Sequence, residues 1–300
     1  LLALPFLAEA LPWLALLETD AARQVANFHT AFNLCLAILF LPLIGPMARL
    51  TEAVLPEATE ADDVTRPRHL DAAALDTPAV ALANVRREVV RMGEVVEQML
   101  SQGFEALRNN DKALAKKVEK ADDVVDGFHA AIRQYLTLLS REPLGDQDSR
   151  RCADLLMFTT NLEHVGDIIE LNVVESARKK TQAQIQFSNE DLAELTALFE
   201  LVRDSMRICF AVFMSDDITV ARQLIERKTL FRRREMAAIE EHQQRLRAAA
   251  TDGVEASSIF LDVLRDLRRI NSHLTSAAYP ILDTAGELRP NRLRSHHGPS

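Results

Sequence analysis

The 300-residue sequence predicts an all-α protein, and three observations carry that prediction. Glycine contributes only 9 residues and aromatics 5%, too few for the turns and pleated faces of a sandwich or barrel. Apolar residues recur every three or four positions through most of the chain, which is the period of one helix face. A pair of helical segments also recurs roughly 105 residues later, as solenoid and duplicated folds do. The net charge of -9 argues against a nucleic-acid binder, whose footprint is basic. Cys35, Cys152 and Cys209 are odd in number and far apart, which excludes a disulfide framework and a CxxC zinc site.

The elements follow in order. Residues 1–17 are apolar with a single charge, Glu9, and residues 28–48 (FHTAFNLCLAILFLPLIGPMA) contain no Asp, Glu, Lys or Arg. A helix of about 20 residues crosses a bilayer core. Trp13 suits an interface, Pro42 and Pro46 end the helix, and Arg49 follows as at a cytoplasmic exit. Residues 1–50 are therefore expected to be a transmembrane helical remnant. The chain opens Leu-Leu inside this run, as the end of a longer membrane domain would. The expected location is the cell inner membrane, multi-pass, with the rest of the chain cytoplasmic. Residues 51–76 form an acidic linker, with Glu52, Glu57, Glu60, Asp62, Asp63, Pro56 and Pro67.

From Thr77 onward the pattern is amphipathic. Thr77 caps a helix that Pro78 opens, and Val85, Val89, Met92, Val96 and Met99 share its inner face. Breaks near 109–111, 142–148, 181–189, 215–217 and 250–254 leave six helices, at 78–109, 111–140, 149–180, 189–214, 217–249 and 255–282. Ser188 and Asp191 resemble a capping box. The predicted domain is 77–285, with pseudo-repeats 77–182 and 188–285, and residues 286–300 are a polar tail expected to be disordered.

The repeat aligns VEKADDVVDGFHAAI (118–132) with LIERKTLFRRREMAAI (224–239), and NLEHVGDIIELNVVESA (161–177) with DLRRINSHLTSAAYPIL (266–282). Asp122 then faces Lys228, Asp126 faces Arg232, Glu163 faces Arg268 and Asp167 faces Ser272. Asp122 and Asp126 share a helix face at i, i+4, as do Glu163 and Asp167, and Glu170 extends the second stripe. Two such faces repel unless a cation lies between them. Carboxylates suit hard cations: divalent Mg²⁺, Ca²⁺ or Mn²⁺, or ferric iron. A solvated acidic face is the alternative. His129 and His164 lie beside the carboxylates.

The strings ADDVVD (121–126) and LEHVGDIIELNVVE (162–175) resemble the two signature helices of the PhoU domain. The resemblance implies two three-helix bundles over about 80–282. It also implies multinuclear iron or zinc bound by Asp122, Asp126, Glu163 and Asp167. The second half departs from the pattern, because Lys228, Arg232, Arg268 and Ser272 hold its ligand positions. Carboxylate metal binding is excluded there. Either those cations pair locally with Glu226, Glu235 and Asp266, or Lys228, Arg232 and Arg268 form an anion site, since guanidinium groups match phosphate geometry.

The string QVANFHTAFNLCLAILFLPLIGPMARL (24–50) resembles the last core segment of the sodium/phosphate cotransporter family, through His29, Phe32, Asn33 and the following Phe-Leu-Pro. That resemblance implies inorganic phosphate as substrate and sodium as coupling ion. The family's Gln-Ser-Ser-Ser motifs are absent from these residues, which places the substrate site upstream of Leu1. His29 and Asn33 are the tentative polar positions within the apolar run. No phosphate loop, nucleophile elbow or HExxH is present, so no enzyme is expected. The expected function is sodium-dependent phosphate transport with a PhoU-like regulatory domain. The rival is a membrane-tethered regulator or scaffold with no transport of its own. Expected partners are phosphate, sodium, the membrane, and a second copy or a regulatory protein, without nucleic acid.

Overall fold

The computed structural model describes residues 21–43, 45, 66–248 and 254–287. They fall into two units, Leu1–Asp63 and Val64–Ser300, each taken by itself below.

In the first unit, α1 spans Ala21–Phe40 and continues as a 3-10 turn at Leu41–Leu43. The apolar run at 28–48 is therefore not one helix. The helix begins at Ala21, so it takes in Arg23, Gln24 and Asn27, and it stops where Pro42 restricts Leu41 and removes an amide donor. No helix among the described residues is long and apolar enough to cross a membrane. This finding overturns the expected multi-pass inner-membrane location and leaves the transmembrane remnant without support. The apolar run at 1–17 and Arg49 lie outside the described residues, as do the linker before Arg66 and the tail after Glu287. His29 and Asn33 are both exposed. The Asn33 Nδ2 donates to His29 Nδ1 at 2.7 Å, so the two polar groups satisfy each other one helical turn apart.

Among the described residues, the second unit holds six long helices. They are α2 (Pro78–Asn109), α3 (Lys112–Leu139), α4, α5 (Asn189–Ser215), α6 (Ile218–Ala248) and α7 (Val254–Thr275). Helix α4 runs over Asp146–Ile168, passes through a π-helical turn at Ile169–Val174, and resumes over Glu175–Gln182. A 3-10 turn at Ser276–Ala278 and a short α8 (Tyr279–Thr284) follow α7. Among the described residues there is no strand.

Three of the breaks have a clear local cause. Asn110 takes the left-handed conformation (φ 58°), which asparagine tolerates, and its amide bonds back to Ala106. Asp111 then caps α3 by accepting from the amides of Ala113 and Leu114. Asp216 (φ 52°) and Asp217 repeat the device between α5 and α6, where Asp217 accepts from Thr219 and Val220. Ser188 caps α5 through the Asp191 amide at 3.0 Å.

Helices α2, α3 and α4 pack as one three-helix bundle, and α5, α6 and α7 as another. Val85, Val89, Met92, Val96 and Met99 are fully buried along α2. The bundles meet where α4 lies on α7 and α2 on α5. Phe104 stacks on Phe199 and Phe158 on Phe213, both with centroids 4.2 Å apart. Such pairs add about 0.5–1.5 kcal/mol each beyond their buried area. Gly93 lets α2 and α5 approach, because a Cβ there would overlap the Phe210 ring.

The end of the predicted linker is not free chain. Glu88 on α2 is fully buried, and its Oε1 accepts from the amides of Arg68, at 2.6 Å, and His69. The Tyr135 hydroxyl donates to the Asp71 carbonyl at 2.7 Å. Leu70 and Leu75 pack on the core beside these bonds. A buried carboxylate that receives two backbone amides fixes the chain leading into α2.

Candidate functional site

Helix α3 presents Asp122 and Asp126 one turn apart, and α4 presents Asp167 toward them. One carboxylate oxygen from each lies within 4.8 Å of the others. Glu170 borders this trio. Burial comes first among the causes that push its carboxyl above the usual range, followed by Asp167, Asp123 and Asp126. Asp122 is the most perturbed of the group. Burial, then the charges of Asp126, Asp167, Glu170 and Asp123, raise its pKa to about 7. Its Oδ1 is buried and receives no hydrogen bond. A desolvated, unpartnered carboxylate oxygen facing two more carboxylates is a costly arrangement unless a proton or a cation occupies it.

The close approach of α3 and α4 depends on Gly166. A Cβ at that position would lie 2.9 Å from Asp122 Oδ1 and 3.3 Å from Val125 Cγ1. Glycine inside a helix costs roughly 0.5–1 kcal/mol relative to alanine, so its presence here calls for such a reason. The sequence signal was a glycine in mid-helix between Glu163 and Asp167, which pattern reading passed over.

Glu163 does not join the three convergent carboxylates. Its Oε1 lies 3.7 Å from His129 Nδ1 and its Oε2 lies 3.6 Å from His164 Nε2. The structure thus gathers Asp122, Asp126 and Asp167, sets Glu170 at their margin, and turns Glu163 toward imidazoles. The donor set fits a hard, oxygen-loving cation: three carboxylates, one with a bare buried oxygen.

The second bundle is built differently at the matched positions. Lys228 Nζ donates to the Tyr279 hydroxyl at 2.9 Å and sits over that ring. Arg268 Nη1 lies 3.5 Å from Glu235 Oε1. Glu235 is 3% exposed, and burial raises its carboxyl while Arg268 and then Arg232 pull it back down. Arg232 and Arg268 therefore face an internal carboxylate, while Lys228 turns toward α8. Asp266, 1% exposed, accepts from Asn172 Nδ2 at 3.0 Å and lies 3.4 Å from Arg265 and Arg269. Asn271 stands where the first bundle has Gly166.

Sequence reading also missed a buried network in this bundle. His242 Nδ1 donates to Asp191 at 2.9 Å, its Nε2 is hydrogen-bonded with the Ser257 hydroxyl at 2.8 Å, and Phe260 stacks on its ring. Burial pushes the Asp191 carboxyl up, but hydrogen bonds from His242, Arg245 and Ser188 outweigh it and hold the group below its usual range. Cys209 is fully buried, which raises its thiol far above the usual range and removes it as a nucleophile.

Residues 89–176, which include the carboxylate trio and Gly166, match the family model described as the PhoU domain. YjbB of Escherichia coli K12, to which inorganic phosphate export is provisionally ascribed, is 35% identical over 287 residues. That match covers 96% of this chain and 53% of YjbB, so the chain spans about half the length of that relative. A phosphate-specific transport system accessory protein, PhoU homolog 1 of Thermotoga maritima, is 24% identical over 67% of this chain and 85% of its own length. The crystal structure of PhoU from Pseudomonas aeruginosa superposes with a TM-score of 0.62 at 21% identity, covering 69% of this chain and 98% of that one. PhoU from Streptococcus pneumoniae superposes with a TM-score of 0.63 at 16% identity. These structures establish the PhoU-like all-helical fold. The Thermotoga relative is described as an accessory protein of phosphate-specific transport, and the Streptococcus protein as a phosphate transport system regulatory protein.

Proposed function

We propose that this chain serves inorganic phosphate transport as a regulatory domain loaded with a divalent or ferric cation. The observation that carries the reading is the convergence of Asp122, Asp126 and Asp167 inside the PhoU domain, around a buried oxygen that lacks a hydrogen bond. Asp122, Asp126 and Asp167 would hold the ion, with Glu170 beside them and Glu163 in reach through its neighbouring turn. A bound cation supplies positive charge that cancels the repulsion between α3 and α4. Occupancy then sets how firmly the first bundle is closed, since a ligand that binds only the folded form stabilises it by mass action. In the second bundle, Arg232 and Arg268 supply counter-charge to Glu235 from within.

Sodium as the coupling ion belongs to the same proposal and rests on the residue pattern at 24–50. The test has two arms. Elemental analysis of the purified chain and of Asp122→Asn should show metal in the first and its loss in the second. Phosphate flux in cells carrying the complete protein should require sodium and should lose its metal dependence in Asp122→Asn. Metal-free wild-type protein removes the cation part. Flux indifferent to sodium removes the coupling part.

One observation favours a second reading, a regulator of a separate phosphate transporter. No helix among the described residues is long and apolar enough to cross a membrane, and such a regulator needs none. Expression of the complete protein in cells stripped of other phosphate transporters separates the two, because only the first reading restores flux.

A further inference from the structure

A cleft of about 330 Å³ opens between α4 and α7 beside the carboxylate trio, with which it shares Asp167. Its polar lining is His164, Asp167 and Asn172 from the first bundle, and Arg269 and His273 from the second. The tautomer of His273 follows from its neighbours. Asn161 Nδ2 donates to the Met157 carbonyl at 3.0 Å, which orients the amide so that Oδ1 faces His273 Nδ1 at 2.9 Å. An amide oxygen only accepts, so Nδ1 carries a hydrogen, and in the neutral ring the lone pair then lies on Nε2. This is the arrangement of a ligating histidine, with its second nitrogen anchored to a carbonyl.

The His164 ring lies beside it, with centroids 5.2 Å apart and planes inclined by 65°. Two imidazoles on one tetrahedral ion, with metal–nitrogen bonds of about 2.0–2.1 Å, also place their centroids roughly 5 Å apart. Asp167, three residues after His164 on the same helix, adds an oxygen donor. Arg269 would oppose a cation, but its Nη1 is engaged with Asp266 at 3.4 Å. An oxyanion fits less well, because Nε2 of the neutral ring accepts and Asp167 repels.

We propose that this cleft is a second metal seat, taking a borderline transition-metal dication such as Zn²⁺, Co²⁺ or Ni²⁺ on His164, His273 and Asp167. The three donors do not yet converge as tightly as the carboxylate trio. His164, whose side chain is 49% exposed, would give up its 3.6 Å approach to Glu163 Oε2 to reach the ion. Imidazole donors select such metals over Mg²⁺ and Ca²⁺, which prefer oxygen. Because its ligands come from α4 and α7, the ion would clamp one bundle to the other.

The test is Co²⁺ titration of the 300-residue chain in excess Mg²⁺, followed by visible absorption. The expected result is a Co²⁺ band with nitrogen ligation that Mg²⁺ does not displace. His164→Ala and His273→Gln should each weaken binding by about tenfold or more, while Asp122→Asn retains it. Circular dichroism checks the fold of each variant, and His164→Ala, at a half-exposed position, gives the answer if His273→Gln unfolds. Absence of the band overturns the proposal, and so does equal binding in His164→Ala. Loss in Asp122→Asn with retention in His164→Ala would place the ion on the carboxylate trio, overturning this site and leaving the carboxylate site standing.

Discussion

The two bundles share three helices and a common register, yet they treat charge in opposite ways. The first keeps Asp122, Asp126 and Asp167 together around an oxygen that no protein donor reaches. The second puts Lys228, Arg232, Arg268 and Ser272 at the same places and points two of the cations at its own buried Glu235. The spacing differs as well: Gly166 opens room for Asp122 in the first bundle, whereas Asn271 occupies the matched position in the second. One scaffold thus supports an electrostatically incomplete face and a self-neutralised one. An incomplete face has work left for a ligand to do, and a self-neutralised face has none.

The largest effect that tests this contrast is on cation affinity. Asp122→Asn with Asp126→Asn should weaken Mn²⁺ binding at least about a hundredfold, close to 2.7 kcal/mol, read by isothermal titration. Unchanged binding would break the contrast. The reverse graft, Lys228→Asp, Arg232→Asp, Arg268→Glu and Ser272→Asp together, should add a second equivalent of Mn²⁺ once Asn271→Gly restores the space. Next comes Gly166→Asn, which copies the second bundle into the first. Crowding against Asp122 and Val125 should cost about 1–3 kcal/mol in denaturant unfolding and should also abolish the Mn²⁺ site. Loss of stability without loss of Mn²⁺ binding would separate spacing from ligation.

The pH dependence should run in opposite directions. The folded pKa of Asp122 lies near 7, above its unfolded value of 3.8. Its contribution to metal-free stability is therefore complete below the unfolded value and is lost as pH rises through about 7. Thermal unfolding in chelator should show higher stability at pH 5 than at pH 8 from this group, and Asp122→Asn should flatten that slope. Asp191 in the second bundle is held below its usual range. Its contribution is present above the unfolded carboxylate pKa and is lost only as pH falls through the lower folded value, so Asp191→Asn should alter the acid limb alone. A slope between pH 5 and 8 that survives Asp122→Asn would assign it elsewhere. The smallest effect concerns Lys228. Lys228→Ala removes a cation–π and hydroxyl contact at the surface and should cost about 0.5–1 kcal/mol. Phosphate titration of Lys228→Ala/Arg268→Ala should match wild type. Weaker binding in the variant would instead make these cations an anion site.

Much of the second unit is legible in the sequence because its signals are local. Pro78, Asn110, Asp111, Ser188 and the 216–217 aspartates mark helix ends with their own backbone chemistry, and apolar periodicity supplies the faces. The carboxylate trio is legible because i, i+4 spacing fixes a helix face. What spacing cannot convey is depth and partner. Glu163 and Asp167 share a stripe and both reach α3, but Asp167 meets Asp122 and Asp126 whereas Glu163 lies beside His129. Glu88, Asp191 and His242 carry no motif; their roles depend on partners from 15 to 54 residues away in sequence. The apolar run at 28–48 misled for the opposite reason. Composition counts residues, while Pro42 and the polar start at Arg23 decide where the helix begins and ends.

The π-helical turn at Ile169–Val174 makes α4 tolerant of a change in length at one place only. An α-helix advances about 100° per residue, so an insertion or deletion elsewhere in α4 would rotate everything beyond it. Lys180 would then leave Asn110, to which it donates at 2.7 Å, or Asp167 would leave Asp122. A π turn closes on i→i+5 bonds and so stores one residue more than the α-helix around it. Removing one residue from this segment should convert it to ordinary α-helix, with Asp167 before it and Lys180 after it still in phase. The turn is thus a reserve of chain, the single point where the length of α4 can drift over generations without unpicking either end.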